Sequence, residues 1–337
     1  MQANYNLLDK SYNKINSVTI LRGIAALSVC FVHIGLVINF HVNRLVDYII
    51  MNGQQGVPIF FVISGFIIPY SLYKKGYKLS DFFTFLIRRS VRIDPPYWCT
   101  VALLFIIGGL PFSLLNLNLV VLHLFYLVPF VKGAQWYSSI FWTLSIEFQF
   151  YILLGLFYPI LNRIGPNISV ICLVSVSALC IFMQFTYRGI IISNLYDFVI
   201  GYIAFLGFIN KITKNRTIII LVLYAVFLMF EVSYITGIIP LLTALFILLY
   251  KNNKLPNYIS FTGKISYSLY LVHLPISYFF ATLMHTFITN NFILYPLCLV
   301  VSIAFAYLFY RLIEKPSMDL SKNLKQFNFF KNSTTLG

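Results

Sequence analysis

Arg22 and His33 stand eleven residues apart in a run that is otherwise free of charge from residue 18 to residue 40. Eleven steps of about 100° bring a helix back to within roughly 20° of its starting direction after a rise near 16 Å, so both side chains leave one face. Each has an ordinary reading alone, a snorkelling boundary arginine and a hydrogen-bonded packing histidine. Together they line a cavity, with the cation near a membrane boundary and the imidazole deep inside. A neutral imidazole in that position suits the removal of a proton from an attacking hydroxyl.

Two further anomalies accompany this pair. Arg88, Arg89 and Arg92 form a compact group in Arg88-Arg89-Ser90-Val91-Arg92-Ile93-Asp94-Pro95-Pro96-Tyr97-Trp98, where Arg89 and Arg92 share a helical face just before the prolines that open the next apolar run. Arginine forks match phosphate groups, so a phosphorylated small molecule or a lipid phosphate is the natural guest. Glu147, in Trp142-Thr143-Leu144-Ser145-Ile146-Glu147, falls well inside another apolar run, where a carboxylate is costly unless paired or wetted. Asp197 and Glu231 lie closer to water. His273 reads as a structural histidine, and His41, His123 and His285 fall at outer helix ends. Cys30, Cys99, Cys172, Cys180 and Cys298 show no CxxC spacing and no companion histidine cluster, so they read as small apolar packing residues and no metal site is expected.

These residues must be positioned by helices in a bilayer. Of the 337 residues, 60% are hydrophobic and 10% charged, too little polar surface for an ordinary soluble enzyme. Nearly charge-free stretches close to 18–40, 55–73, 93–110, 137–161, 168–187, 190–209, 217–234, 236–250, 265–287 and 291–312 predict an all-α membrane protein, a polytopic bundle of about ten transmembrane helices. With both termini cytoplasmic, 21 of the 24 Lys and Arg fall inside, and only Arg44, Lys132 and Arg188 fall outside. The net charge of +15 is thereby a topology signal, and nucleic acid is not an expected partner.

The first stretch reads as a retained helix rather than a cleaved signal. Residues 1–17 are expected as a cytoplasmic segment, 18–316 as the transmembrane domain and 317–337 as a basic cytoplasmic tail. The segment 111–136, broken by Pro111, Pro129 and Gly133, is expected as an interfacial or re-entrant lid on the outer side. A secondary transporter or polysaccharide exporter, with Arg22, His33, Glu147 and Asp197 along a path, is the rival reading, but the chain shows no repeated halves.

Six blocks in order resemble the acyltransferase-3 family of integral membrane O-acyltransferases: Leu21 to Leu27 followed by His33, Gly56 to Phe66, Arg88 to Trp98, Trp142 to Tyr151, Ser266 to His273, and Glu314-Lys315-Pro316. The resemblance covers roughly 18–316. It implies a cytoplasmic acyl-CoA donor, usually acetyl-CoA, no permanently bound cofactor, and transfer to a hydroxyl of a sugar or glycan at a bacterial inner membrane. It further implies that Arg22 and His33 are the family's Arg-x10-His pair with His33 as base, and that Arg89 and Arg92, with Arg88 beside them, hold the CoA phosphates. Glu147 matches the family's acidic residue, either orienting His33 or binding the acceptor. Thr19 and Pro58 stand where many relatives carry Asp, and no periplasmic hydrolase-like domain is expected.

Overall fold

The computed structural model describes residues 15–107, 110–111, 114–184, 187–251 and 255–324. Most of the expected N-terminal segment and the end of the tail therefore lie outside the described residues. The helices in chain order are α1 Asn16–Val37, α2 Arg44–Met51, α3 Gly56–Lys74, α4 Phe82–Ile106, α5 Leu117–Leu124, α6 Trp142–Ile164, α7 Pro166–Phe182, α8 Leu195–Phe208, α9 Lys214–Glu231, α10 Tyr234–Leu249, α11 Asn257–Met284, α12 Asn291–Phe309 and α13 Lys315–Asn323. No strand occurs among the described residues.

Each of the ten apolar stretches coincides with one helix, α1, α3, α4 and α6 to α12. Among the described residues, six segments are long and apolar enough to cross a membrane by length and composition: α1, Arg44–Lys74, α6, Ile191–Phe208, α11 and Asn291–Asn323. α7 and α10 are apolar but shorter, at 17 and 16 residues. α4 is diluted by Arg88, Arg89, Arg92 and Asp94 in its first half. Large apolar side chains such as Ile106, Leu223 and Phe230 are exposed on the outside of the bundle, as a lipid-facing surface requires. The chain is a membrane protein.

Two helix pairs form the frame. α1 runs against α11 and α3 against α8, and both contacts depend on missing side chains. A Cβ on Gly263 would strike the Thr19 carbonyl of α1, and one on Gly23 would strike Thr262 of α11. On the other pair, a Cβ on Gly65 would strike the Phe198 backbone and one on Gly201 the Val62 carbonyl. Lipid tails are as apolar as the helices, so close backbone approach and the dispersion contacts it permits replace the hydrophobic drive of a soluble core.

The structure revises three expectations. The prolines do not open a new run after the arginine group, because α4 begins at Phe82 and passes through Pro95 and Pro96 without a break. Two consecutive prolines remove backbone donors, but side chains engage the carbonyls around them: the Tyr267 hydroxyl donates to Ile93 O at 2.8 Å and the Thr100 hydroxyl to Pro96 O at 2.9 Å. The expected lid contains a real helix, α5, and His123 on it is fully buried instead of facing solvent. Its Nδ1 meets Leu119 O at 2.9 Å and its Nε2 accepts the Tyr137 N–H at 2.9 Å, which pins the lid to the segment entering α6. Finally, Asp197 is not near water: it is fully buried, and neither carboxylate oxygen has a partner among the described residues.

The glycine contacts make a direct stability prediction. Gly201→Val should overpack the α3–α8 crossing and cost about 1–3 kcal/mol, read as a lower Tm in detergent, whereas Gly133→Ala, in a surface turn where a Cβ would meet nothing, should cost less.

Candidate active site

The α1–α11 contact carries the central feature. Ten residues beyond the Gly23–Gly263 approach, the same parallel register brings His33 of α1 onto His273 of α11, with His273 Nε2 3.0 Å from His33 Nδ1 and ring centroids 5.1 Å apart. His273 is fully buried and His33 half-buried. Each ring also meets the carbonyl one turn back: His33 Nδ1 lies 3.0 Å from Val29 O, and His273 Nδ1 lies 2.9 Å from Leu269 O.

These contacts fix the tautomers. A carbonyl only accepts, so His273 carries its proton on Nδ1 and donates it to Leu269, which leaves Nε2 as an acceptor. His33 must then carry its proton on Nδ1, shared between Val29 O and His273 Nε2. The opposite assignment would set two lone pairs against two carbonyls. The outcome is a His33 Nε2 without a proton, unpartnered and not fully buried among the described residues. A base oriented by an acceptor on its other nitrogen is the arrangement that proton abstraction needs.

The other end of the same α1 face holds the charges. Arg22 is half-buried, makes no hydrogen bond or ion pair among the described residues, and lies within electrostatic reach of Arg92, Glu314 and Glu147. Glu147 accepts from the Tyr151 hydroxyl at 2.5 Å and from the Ser64 hydroxyl at 3.1 Å. Arg89 lies over the Tyr151 ring at 5.4 Å and over Phe85 at 5.7 Å. Glu314, 2% exposed, accepts from the Ser268 backbone N–H at 3.1 Å and its hydroxyl at 2.5 Å. It closes a π-helical turn, Tyr310–Glu314, in which the extra residue turns the carboxylate inward.

Lys75, in the turn after α3, completes the group: burial first, then Arg88 and Arg89, hold its ammonium below the usual lysine range. Arg22, Arg89, Arg92 and Lys75 thus stand against Glu147 and Glu314, with Asp94, held by the Tyr126 hydroxyl, as a third carboxylate in the same region. Such a surplus in a low-dielectric setting calls for a polyanion.

The expected site residues therefore separate. His33 lies at one end and Arg22, Arg89 and Arg92 at the other. Glu147, the sixth residue of α6 because that helix begins only at Trp142, lies between them without a hydrogen bond to His33. Arg88 is largely committed elsewhere: its Nη2 donates to Leu324 O at 2.7 Å, and its own carbonyl accepts from Ser321 at 2.6 Å, so it clasps α13. Asp197 has Tyr196 and Tyr224 as electrostatic neighbours. His273 and Glu314 were not singled out from sequence. Both lie in blocks that stand out, Ser266 to His273 and Glu314-Lys315-Pro316, but only the fold pairs them with residues near the other end of the chain.

The clasp is testable without any activity. Arg88→Ala with Ser321→Ala should release α13 and speed trypsin cleavage after Lys322 several-fold relative to the parent, with the membrane-embedded fragment left intact.

Comparison with known proteins supports one assignment. A family model described as an acyltransferase domain, that of the acyltransferase-3 family, matches residues 15–311. Nodulation protein 10 of Rhizobium leguminosarum bv. viciae is 27% identical over 175 residues, which cover 44% of this chain and 45% of that protein. The match thus spans under half the length of this curated relative. No solved structure matches the chain. With 297 consecutive residues inside the family model, among them the histidine pair, the arginines and Glu147, the chain belongs to the acyltransferase-3 family of membrane acyltransferases.

Proposed function

We propose that this acyltransferase moves an acetyl or other acyl group from cytoplasmic acyl-CoA to a hydroxyl of a sugar or surface glycan, working as a multi-pass protein of the bacterial inner membrane. The observation that carries the reading is the free Nε2 of His33, oriented by His273 and set about 16 Å along one helix face from a cluster of surplus cations.

In this reading the CoA phosphates occupy the cationic end, held by Arg22, Arg89 and Arg92 with Lys75 at the rim. The extended pantetheine arm follows the α1 face and presents its thioester carbonyl at His33. The acceptor hydroxyl gives its proton to His33 Nε2 as its oxygen bonds to the carbonyl carbon. The tetrahedral intermediate expels the CoA sulfur, which takes the proton back from the imidazolium, and the new ester leaves towards the outer side. His273 accepts from His33 Nδ1–H throughout, fixing the ring and stabilising its transient charge. Glu147 is assigned to positioning: it holds Tyr151 under Arg89 and balances Arg22. Glu314, at the end of the π-helical turn after α12 and held by Ser268 of α11, also balances Arg22.

Protein reconstituted in vesicles with labelled acetyl-CoA and candidate glycans tests each part. His33→Ala should abolish transfer while the protein inserts normally, and normal transfer by that variant would contradict the reading. His273→Ala should lower kcat by about 100-fold with little change in the KM for acetyl-CoA, and His273→Gln, which keeps an acceptor oxygen, should recover part of the loss. Arg89→Ala with Arg92→Ala should raise the KM for acetyl-CoA about tenfold or more but leave that for acetyl-pantetheine, which lacks the nucleotide phosphates, nearly unchanged.

A further inference from the structure

We propose that Arg188, laid on Trp142 at the histidine end of the bundle, is a receiving site for an anionic group on the acceptor, a carboxylate or phosphate carried close to the hydroxyl that is acylated. The inference rests on the acyl-transfer reading and adds the charge of the acceptor to it.

The loop that carries Arg188 is built to hold it still. Gln149 of α6 grips the loop twice, donating from Nε2 to Gly189 O at 2.7 Å and accepting the Ile191 N–H on Oε1 at 3.0 Å. Gly189 has a φ of +91°, and a Cβ there would stand 2.8 Å from the Trp136 ring and 3.1 Å from Pro129, so the lid side packs directly on its backbone. The side chain is anchored as firmly: Arg188 Nη2 donates to Ser139 O at 2.8 Å and the guanidinium lies 5.3 Å from the centre of the Trp142 indole.

The guanidinium is nevertheless unspent. Arg188 is exposed, one of its five N–H donors has a protein acceptor, and no carboxylate lies within 4.0 Å of it among the described residues. Its place is adjacent to the chemistry. Thr143, next to Trp142, shares a 2.7 Å hydrogen bond with the Tyr270 hydroxyl, and the Tyr270 ring centre is 6.1 Å from that of His273. Arg188 also lies within electrostatic reach of both His33 and Tyr270.

A fixed, uncompensated cation at this point repels the positive charge that His33 must take on during transfer. A neutral acceptor leaves that repulsion in place. An acceptor that brings its own anion removes it, and the planar fork over an aromatic face is a preorganised partner for a carboxylate or phosphate.

Tryptophan fluorescence of the reconstituted protein, titrated without any acyl donor, tests the site apart from the reaction. The probes are methyl glucuronide for the carboxylate, glucose 1-phosphate for the phosphate, and methyl glucoside as the neutral match. A saturable change is expected with at least one anion and not with the glucoside, and the better anion identifies the source. Arg188→Gln should weaken that binding about tenfold while Arg188→Lys keeps part of it, with Tm unchanged in both. No saturable response to either anion, an equal response to the glucoside, or anion binding unaltered in Arg188→Gln would overturn the proposal. In turnover, Arg188→Gln should raise the KM for the anionic acceptor at constant kcat. An equal fall in kcat on charged and neutral acceptors would place the arginine in the transition state instead and would also overturn it.

Discussion

The hydrogen bond between His33 and His273 is the constraint on which the rest depends. It joins residues 240 positions apart, and it forms because α1 and α11 touch backbone to backbone at Gly23 and Gly263 and then run parallel for ten residues. Larger side chains at the glycines would spread the helices and separate the rings. The bond also decides chemistry as well as packing, because the carbonyls of Val29 and Leu269 leave one consistent placement of the protons, with the lone pair of His33 Nε2 left free. Proton position is thus set by helix geometry.

Charge is the second organising quantity. A bilayer interior penalises isolated ions by several kcal/mol, so each charge left there has a reason to stay. At the arginine end the two carboxylates are held by hydroxyls, Ser64 and Tyr151 on Glu147 and Ser268 on Glu314, rather than by tight ion pairs with arginine. The guanidinium of Arg22 accordingly remains uncommitted, which is the state a phosphate-binding group should be in before its ligand arrives. At the histidine end a single arginine stands without an anion. The two ends therefore ask for anionic groups from two different molecules, one from each side of the membrane in the proposed topology.

Local signals in the chain made much of this legible. Each nearly charge-free stretch overlaps a helix, six segments among the described residues being long and apolar enough to span, and the eleven-residue spacing placed Arg22 and His33 on one face. What stayed hidden was every role created by a distant partner. His273 read as a packing histidine until α11 was set against α1, and Arg88 read as a phosphate ligand until α13 folded back to take it. The continuation of α4 through Pro95 and Pro96, with Tyr267 from α11 bonded to Ile93 O beside them, is anticipated by no local rule. His123 looked exposed because a short helix in a proline-broken segment gives no sign of being buried. For Asp197, buried without a partner, the structure offers no physical account.

The central claim is that His33 holds its proton on Nδ1 and keeps Nε2 bare because His273 accepts from it. With only five histidines in the chain, 15N NMR of histidine-labelled protein in bilayers can assign both tautomers directly. The account predicts the Nδ1–H form for both His33 and His273 at neutral pH, with the His33 signals shifting in the His273→Ala variant. An Nε2–H form on His33, or His33 signals indifferent to loss of His273, would contradict it.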